Sequence, residues 1–367
     1  MKSKFDIKEF GIIPPPYGGC SVYVKRLIDK LNSDGYKVGG FYLETCDDKN
    51  IDSSPLYDHW NWMETHLLPF KIWRYLKIVQ SYRIIHSHFS LEGMSYLWML
   101  MKFGKKKVVI TIHNSMVSTF YRQTNIVNRF FLNRMLRSKD VTWIAVSAEG
   151  KEQLLSLPIN PLSNVHVIPA YIPVVEECFI PLASEMQSYI NTHKYNIAFY
   201  GHSFMLNEGT DIYGFQTIID IYSRLLKNSY NNVGLVLCLS DTHDTEKIQE
   251  LREYAKNKNV DDCIYWQIGA INNIRTLWKN VDVYVRPTST DGDSVAVREA
   301  LDEGISVIAS DVCDRPKGVV IYKYGNEDDL YAKLILCFNN YRKITKPNYD
   351  YYNSMKEIYN NLLFSNL

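Results

Sequence analysis

Short apolar runs rich in β-branched residues alternate along this chain with stretches whose apolar positions recur every three or four residues. That alternation is the pattern of βαβ units wound around parallel sheets. In the first half it predicts strands over residues 10–14, 39–43, 84–86, 107–112, 142–146 and 166–168. A second series is predicted over 196–200, 234–239, 263–267, 281–286, 306–309 and 318–322. The helix after the first strand is marked by Val24, Leu27, Ile28 and Leu31 at i, i+3, i+4 and i+7, with Gly35 as its stop. Between the two series, residues 169–181 hold Pro169, Pro173 and Pro181 and read as a linker. A last helix over 351–364 sets Met355, Ile358, Tyr359 and Leu362 on one stripe that must dock somewhere. The expected fold class is α/β, with two Rossmann-like doubly wound domains over 1–172 and 173–347 and a C-terminal segment at 348–367. Their carboxyl ends are expected to share a cleft, where ligands of such sheets bind.

A length of 367 residues fits two domains, and 46% apolar residues supply a large core. Net charge is +1, from 41 basic and 40 acidic residues, so neither a disordered chain nor a nucleic-acid coat is expected. The total hides an asymmetry. Residues 1–175 hold 22 basic and 14 acidic side chains, leaving 19 and 26 for the rest. The basic half could face its acidic counterpart or an anionic membrane surface. Seven scattered cysteines with no C-x-x-C pair fit a reducing compartment, with neither a zinc site nor a disulfide framework. The N-terminal residues lack the apolar run of a signal peptide, and no run reaches the ~18 residues of a membrane span. The expected location is cytoplasmic, at most peripheral on the inner face of the cell membrane.

The most specific segment is RPTSTDGDSVAVREAL, from Arg286 to Leu301. It follows a strand, turns at Asp291-Gly292-Asp293 and enters a short helix closed by Gly304. Backbone N–H groups of Ser294 and Val295 at such a helix start favour a phosphate. Asp291 and Glu299, eight apart, could both reach one elongated ligand. A plainer reading makes Asp291 or Asp293 an N-cap and Glu299 a surface residue.

This stretch resembles the E-x7-E region of glycosyltransferase family 4, retaining nucleotide-sugar-dependent transferases of the GT-B fold. The resemblance implies that Asp291 binds hydroxyls of the donor sugar and Glu299 the ribose. It gives the amides of Asp293, Ser294 and Val295 to the sugar and diphosphate, with Gly292 and Ile268 also on the donor side. The first acid is Asp here rather than Glu, which bears on the identity of the sugar more than on the reaction. Pro14-Pro15-Pro16-Tyr17-Gly18-Gly19 is similar to the family's N-terminal glycine-rich loop. There Gly18 and Gly19 would approach the donor, and Tyr17 would face the acceptor.

Histidines end two predicted strands, as His86-Ser87-His88 and Thr111-Ile112-His113. His86 and His88 are read as pointing to opposite faces, with no carboxylate or Cys nearby to complete a metal site, so no metal is expected. His113 matches the family histidine that touches the donor sugar. His88 is read either as a structural histidine or as part of the acceptor side.

One departure stands out. The family usually carries an Arg and a Lys after the first strand of the second domain to clamp the diphosphate. His202 and Glu208 occupy those places here. Arg286, Arg298 and Arg315 are candidate substitutes, Arg286 and Arg315 foremost, and each could instead pair with Asp291, Asp293 or Asp311. The expected activity is metal-independent, retaining transfer of a sugar from a UDP- or GDP-linked donor to a hydroxyl of a glycan acceptor. A lipid-linked acceptor in bacterial surface polysaccharide synthesis fits best, and no other cofactor is needed. Alternatives are a non-catalytic sugar-nucleotide-binding subunit and a GT-B nucleotide-sugar epimerase. On the acceptor or membrane side, residues 126–139 combine Phe130, Phe131, Met135 and Leu136 with Arg129 and Arg134. Trp60, Trp62 and Trp73 with Lys71, Arg74 and Lys77 add a second basic aromatic stretch. Both are equally readable as ordinary amphipathic core helices. As in relatives, the final helix is expected to pack back on the first domain.

Overall fold

The computed structural model describes residues 5–339 and 350–364, apart from 12, 15–18, 44–56, 61–66, 68, 71, 74–75, 78–81, 89–93, 114–116, 174–179, 208, 270 and 272–273. The chain divides into two units. Unit 1 comprises Met1–Ile172 and Tyr349–Leu367, and unit 2 comprises Pro173–Asn348.

Unit 1 is built on seven strands: β1 (Phe5–Phe10), β2 (Val38–Leu43), β3 (Tyr57–Trp60), β4 (Tyr82–Ser87), β5 (Lys107–Ile112), β6 (Val141–Ala145) and β7 (Val165–Val167). They pair in the order β3-β2-β1-β4-β5-β6-β7, every pair parallel. A parallel sheet is covered on both faces by its crossover helices, so its strands are apolar on both sides. β5 follows that rule, with Val108, Val109 and Ile110 all buried.

β1 does not, and it lies five residues earlier than the predicted 10–14. Lys8 and Glu9 interrupt its apolar pattern, yet both are wholly buried. Lys8 Nζ donates to the Gly40 carbonyl and lies 4.9 Å from the centroid of the Tyr82 ring. By the alternation of the pleat, Ile7 and Glu9 share one face of the strand, while Lys8 and Phe10 share the other.

The Ile7 face packs under the helix Gly19–Ser33, whose Val24, Leu27, Ile28 and Leu31 form the expected stripe. The C-terminal helix Tyr351–Phe364 packs on the same cluster through Met355, Ile358, Tyr359 and Leu363. Polar contacts fix it in place. Tyr36 donates its hydroxyl to Asn360 at 2.6 Å, Tyr352 and Lys356 both reach Asp34, and Arg83 donates to the Leu363 carbonyl at 2.7 Å.

Unit 2 repeats the scheme with β8 (Tyr195–Gly201), β11 (Val233–Leu239), β12 (Ile264–Ile268), β13 (Val283–Arg286), β14 (Ser306–Ser310) and β15 (Val320–Tyr322). These form a parallel sheet in the order β12-β11-β8-β13-β14-β15. A small antiparallel hairpin, β9 (Leu206–Asn207) with β10 (Thr210–Asp211), follows β8. Gly214 then opens the helix Phe215–Lys227 at φ +82°, and a Cβ there would stand 2.5 Å from the Pro287 carbonyl oxygen. That glycine lets the chain after β8 lie directly against the chain after β13.

Counted along its own strands, unit 2 has the order 3-2-1-4-5-6, and unit 1 has the same order with one further strand. The order reverses between β1 and β4 in unit 1 and between β8 and β13 in unit 2. Ligands of open parallel sheets bind outside the carboxyl ends at this point.

Candidate functional site

At the reversal in unit 2, β13 ends on Arg286. Its Nε donates to Asp291 Oδ2 at 3.1 Å and its Nη2 to Asp291 Oδ1 at 3.3 Å, while Nη1 reaches the Tyr200 carbonyl on β8 at 3.3 Å. Arg315, which follows β14, donates from Nη1 to Asp291 Oδ2 at 2.8 Å. Its other nitrogens are spent on the Ser310 carbonyl and on the hydroxyls of Ser310 and Thr288. Side-chain exposure is 11% for Arg286, 9% for Asp291 and 1% for Arg315, so the cluster is buried. Burial alone would raise the Asp291 pKa, but the two guanidinium charges and their hydrogen bonds outweigh it and hold it at about 2. Two cations on one anion leave the trio with a net charge of one. An ionised carboxylate offers about four acceptor positions. Among the described residues three are taken, which leaves room for one hydroxyl.

Asp293 pairs with Arg298, whose Nε lies 2.7 and 3.0 Å from its two oxygens. The helix Val295–Asp302 starts at Ser294, whose hydroxyl accepts from the Val297 amide at 3.4 Å. Ser294, rather than either aspartate, is therefore the N-cap, and Glu299 is buried in the helix rather than on the surface. Gly292 is half-buried in the turn, and Ile268 ends β12 partly buried against the sheet core. All three candidate arginines are thus ion-paired with aspartates of the motif. His202 hydrogen-bonds Ser240 Oγ at 3.0 Å, and Glu208 lies outside the described residues.

The reversal in unit 1 is centred on Glu9. β1 and β4 pair with Glu9 beside His86, and His88 follows the strand end on the same side. The Glu9 carboxylate accepts from His88 Nε2 at 2.8 Å and from the Tyr359 hydroxyl at 2.8 Å, and it lies 3.0 Å from His86 Nδ1. His86 Nδ1 also lies 2.6 Å from the Tyr359 hydroxyl, and its Nε2 lies 2.7 Å from Thr111 Oγ1. His88 Nδ1 lies 2.9 Å from His113 Nε2, just past the end of β5. Burial would raise the Glu9 pKa, but the fields and hydrogen bonds of His86 and His88 reverse this and hold it at about 2. Burial first, then the neighbouring His86, lowers His88 to about 4 against the opposing pull of Glu9. His113 is also shifted well down, first by burial and then by His88 and His86.

Two expectations fail here. His86 and His88 share a face, their ring centroids 4.0 Å apart, because residues two apart on a strand point the same way. A carboxylate does stand beside them, and Glu9, His86 and His88 are close enough to surround a metal ion. In the structure the facing atoms of these three side chains also meet as hydrogen-bond partners.

Residues 17–174, nearly all of unit 1 before its C-terminal helix, match the family model for Glycosyltransferase Family 4. Over these residues the chain resembles family 4 glycosyltransferases. Its fold is GT-B, as in the sucrose-phosphate synthase of Thermosynechococcus elongatus, with a TM-score of 0.72, 15% identity, and coverage of 98% of this chain and 100% of that one. The Anabaena protein HepE, solved with UDP and glucose, aligns at TM-score 0.70 and 11% identity over 98% of this chain and 95% of its own. WaaG, a glycosyltransferase involved in lipopolysaccharide biosynthesis, aligns at 0.65 and 12% over 97% and 94%. No curated protein sequence matches the chain.

Gly19 is exposed as the first residue of its helix, and Tyr17 and Gly18 lie outside the described residues. Arg129 is tied to the end of the preceding helix. Its Nη2 donates to the carbonyls of Arg122 and Thr124, at 2.7 and 3.0 Å, where the preceding helix ends. Arg134 lies over the Phe130 ring at 5.1 Å. Met135 and Leu136 belong to the core, whereas Ile126 is 81% and Phe130 51% exposed. Of the second stretch, Trp73 is exposed with Lys77 5.4 Å above its ring, the Trp60 side chain is not described, and Trp62, Lys71 and Arg74 lie outside the described residues.

The unit 2 cluster predicts that Asp291→Ala strands two buried guanidinium groups and destabilises the enzyme by about 3–5 kcal/mol. Urea unfolding of the variant beside the parent measures this, and a loss below about 1 kcal/mol would show that the arginines find water.

The unit 1 cluster predicts a pH dependence. His88 is depressed to about 4, so below its ordinary 6.5 the unfolded chain binds the extra proton, and stability drains as pH falls from 6.5 to 4. Glu9 is depressed from 4.5 to about 2, so its contribution is full above 4.5 and is lost below it. Both slopes have the same sign. The urea midpoint should fall steadily from pH 6.5 to 4, and His88→Asn should flatten that segment. An unchanged slope in the variant would show that His88 ionises freely in the folded chain.

Proposed function

We propose that this glycosyltransferase moves a sugar, with retention, from a nucleoside-diphosphate sugar to a hydroxyl of a lipid-linked glycan, in bacterial surface polysaccharide synthesis. The observation that carries the donor assignment is the Arg286–Asp291–Arg315 cluster at the strand-order reversal of unit 2, beside the helix start at Ser294. Its net positive charge and the amides of that helix start suit a diphosphate leaving group. Arg286 is the more accessible of the two cations. It stands in for the absent Arg and Lys of the family. The free acceptor position of Asp291 suits one sugar hydroxyl, and buried Glu299 suits the ribose. The leaving phosphate itself takes the proton of the incoming hydroxyl, so no metal and no strong side-chain base is required. UDP is the first base to try, since HepE is solved with UDP and glucose.

A thermal-shift series against UDP- and GDP-sugars tests the donor assignment. A ligand at 100 times its Kd adds about 2.7 kcal/mol to the folded state. One nucleotide sugar should raise Tm and be slowly hydrolysed without acceptor. A flat series overturns the donor assignment, and a shift without hydrolysis favours a non-catalytic binding subunit.

The acceptor assignment has its own support. Ile126, Val127 and Phe130 form an exposed apolar edge beside Arg134, and Phe70, Ile72, Trp73 and Leu76 are exposed near Lys77. Apolar side chains flanked by cations suit an anionic lipid surface. Among the described residues no helix is long and apolar enough to cross a membrane, so attachment at the inner face would be peripheral. WaaG, of similar fold, is involved in lipopolysaccharide biosynthesis. Flotation with phosphatidylglycerol vesicles should carry the enzyme, and Phe130→Ser should reduce the floated fraction several-fold. No flotation of the parent chain overturns the membrane part while leaving the donor assignment standing.

A further inference from the structure

The resemblance to family 4 gives His113 a neighbourhood but not a protonation pattern. The hydrogen bonds of unit 1 supply one. Glu9 is ionised and so is an acceptor only. Two elements hold its orientation: the Tyr359 hydroxyl at one oxygen and, at the other, the rings that follow from β4. His88 Nε2, at 2.8 Å from that carboxylate, must carry a proton to bond it. A second proton on His88 is opposed by full burial and by the His86 ring 4.0 Å away. His88 is therefore neutral, and its Nδ1 has a lone pair. That lone pair faces His113 Nε2 at 2.9 Å, a contact that is a hydrogen bond only if His113 carries its proton on Nε2. Tyr23 lies edge-on to both rings, 5.8 Å from His88 and 5.7 Å from His113.

We propose that Glu9 is a positioning residue which, acting through His88, fixes His113 as its Nε2–H tautomer and so presents the His113 Nδ1 lone pair as an acceptor for a substrate hydroxyl. His113 is half-buried, and its Nδ1 has no hydrogen-bond partner among the described residues. A neutral imidazole held this way cannot donate from Nδ1. It orients a hydroxyl group by accepting its hydrogen bond, and it would be mismatched to a carbonyl or phosphate oxygen at that position. The hydroxyl class of the ligand rests on the transferase assignment above; the tautomer does not.

The test is the tautomer itself, read from long-range nitrogen–proton correlation spectra of 15N-histidine-labelled enzyme near pH 7. In the parent chain His113 Nδ1 should be unprotonated and Nε2 protonated. The opposite pattern overturns the inference outright, whatever any variant does. Glu9→Gln keeps a carbonyl that His88 can bond, and it should retain the parent tautomer. Glu9→Leu removes the acceptor, and the Nδ1-protonated fraction of His113 should rise about tenfold or more, the worth of a hydrogen bond to a charged group. An unchanged tautomer in Glu9→Leu overturns the relay. If that variant does not fold, His88→Leu breaks the relay one step later and should free the His113 tautomer in the same way, with an unchanged pattern again counting against it. These spectra need no nucleotide sugar. Failure of the thermal-shift series therefore leaves this result standing, and the reverse holds as well.

Discussion

Each candidate site is organised around a carboxylate taken out of water, and a buried charge persists only where partners replace the lost hydration. Glu9 in unit 1 and Asp291 in unit 2 meet that demand in different ways. Glu9 is matched by two imidazoles and a phenol, hydrogen-bonding partners rather than fixed cations, so its charge goes into orienting rings. Asp291 is matched by two guanidinium groups, one more cation than it can neutralise, so its surroundings are left positive. The same strand order therefore carries an orienting centre in one unit and a charged centre in the other.

Position on the sheet explains why these residues, among many acids, are the ones so constrained. Both lie where neighbouring parallel strands send their connections to opposite sides, which leaves backbone and side chains at the strand ends uncovered by helices. The acidic balance of residues 176–367 does not prevent a positive centre there. At contact distances inside a low-dielectric region, two arginines outweigh distant surface acids screened by solvent.

Much of the architecture was legible in the sequence. β5 lies where its β-branched run predicts, and the helix Gly19–Ser33 and the C-terminal helix follow their apolar stripes. β1 was misplaced because Lys8 and Glu9 look like surface residues, and only tertiary partners make them tolerable in a strand. The Arg286–Leu301 segment announced a strand, a turn and a helix start, but not that Ser294 would cap while both aspartates pair with arginines. Pairing Arg315 with Asp291 requires strands β13 and β14 to be adjacent, and local pattern does not state that. The face shared by His86 and His88 was available from strand periodicity alone. Tyr359 was legible as a buried stripe residue, but its role was hidden, since it bonds a residue 350 positions away. β3 escaped notice because YDHW is short and half polar.

That last distance bears on how the chain reaches its native state. During synthesis at roughly 5–20 residues per second, domains tend to fold in the order they appear. The strands of unit 1 are made first, but Tyr359, which holds one oxygen of Glu9, follows the whole of unit 2. Until then the Glu9–histidine centre lacks its phenol, and the Ile7 face lacks the second of the two helices that cover it. Unit 1 is thus begun first and completed last. A ribosome that stops short of residue 351 releases a chain whose earliest domain has an open apolar face, a form that chaperones and proteases can tell from the finished protein.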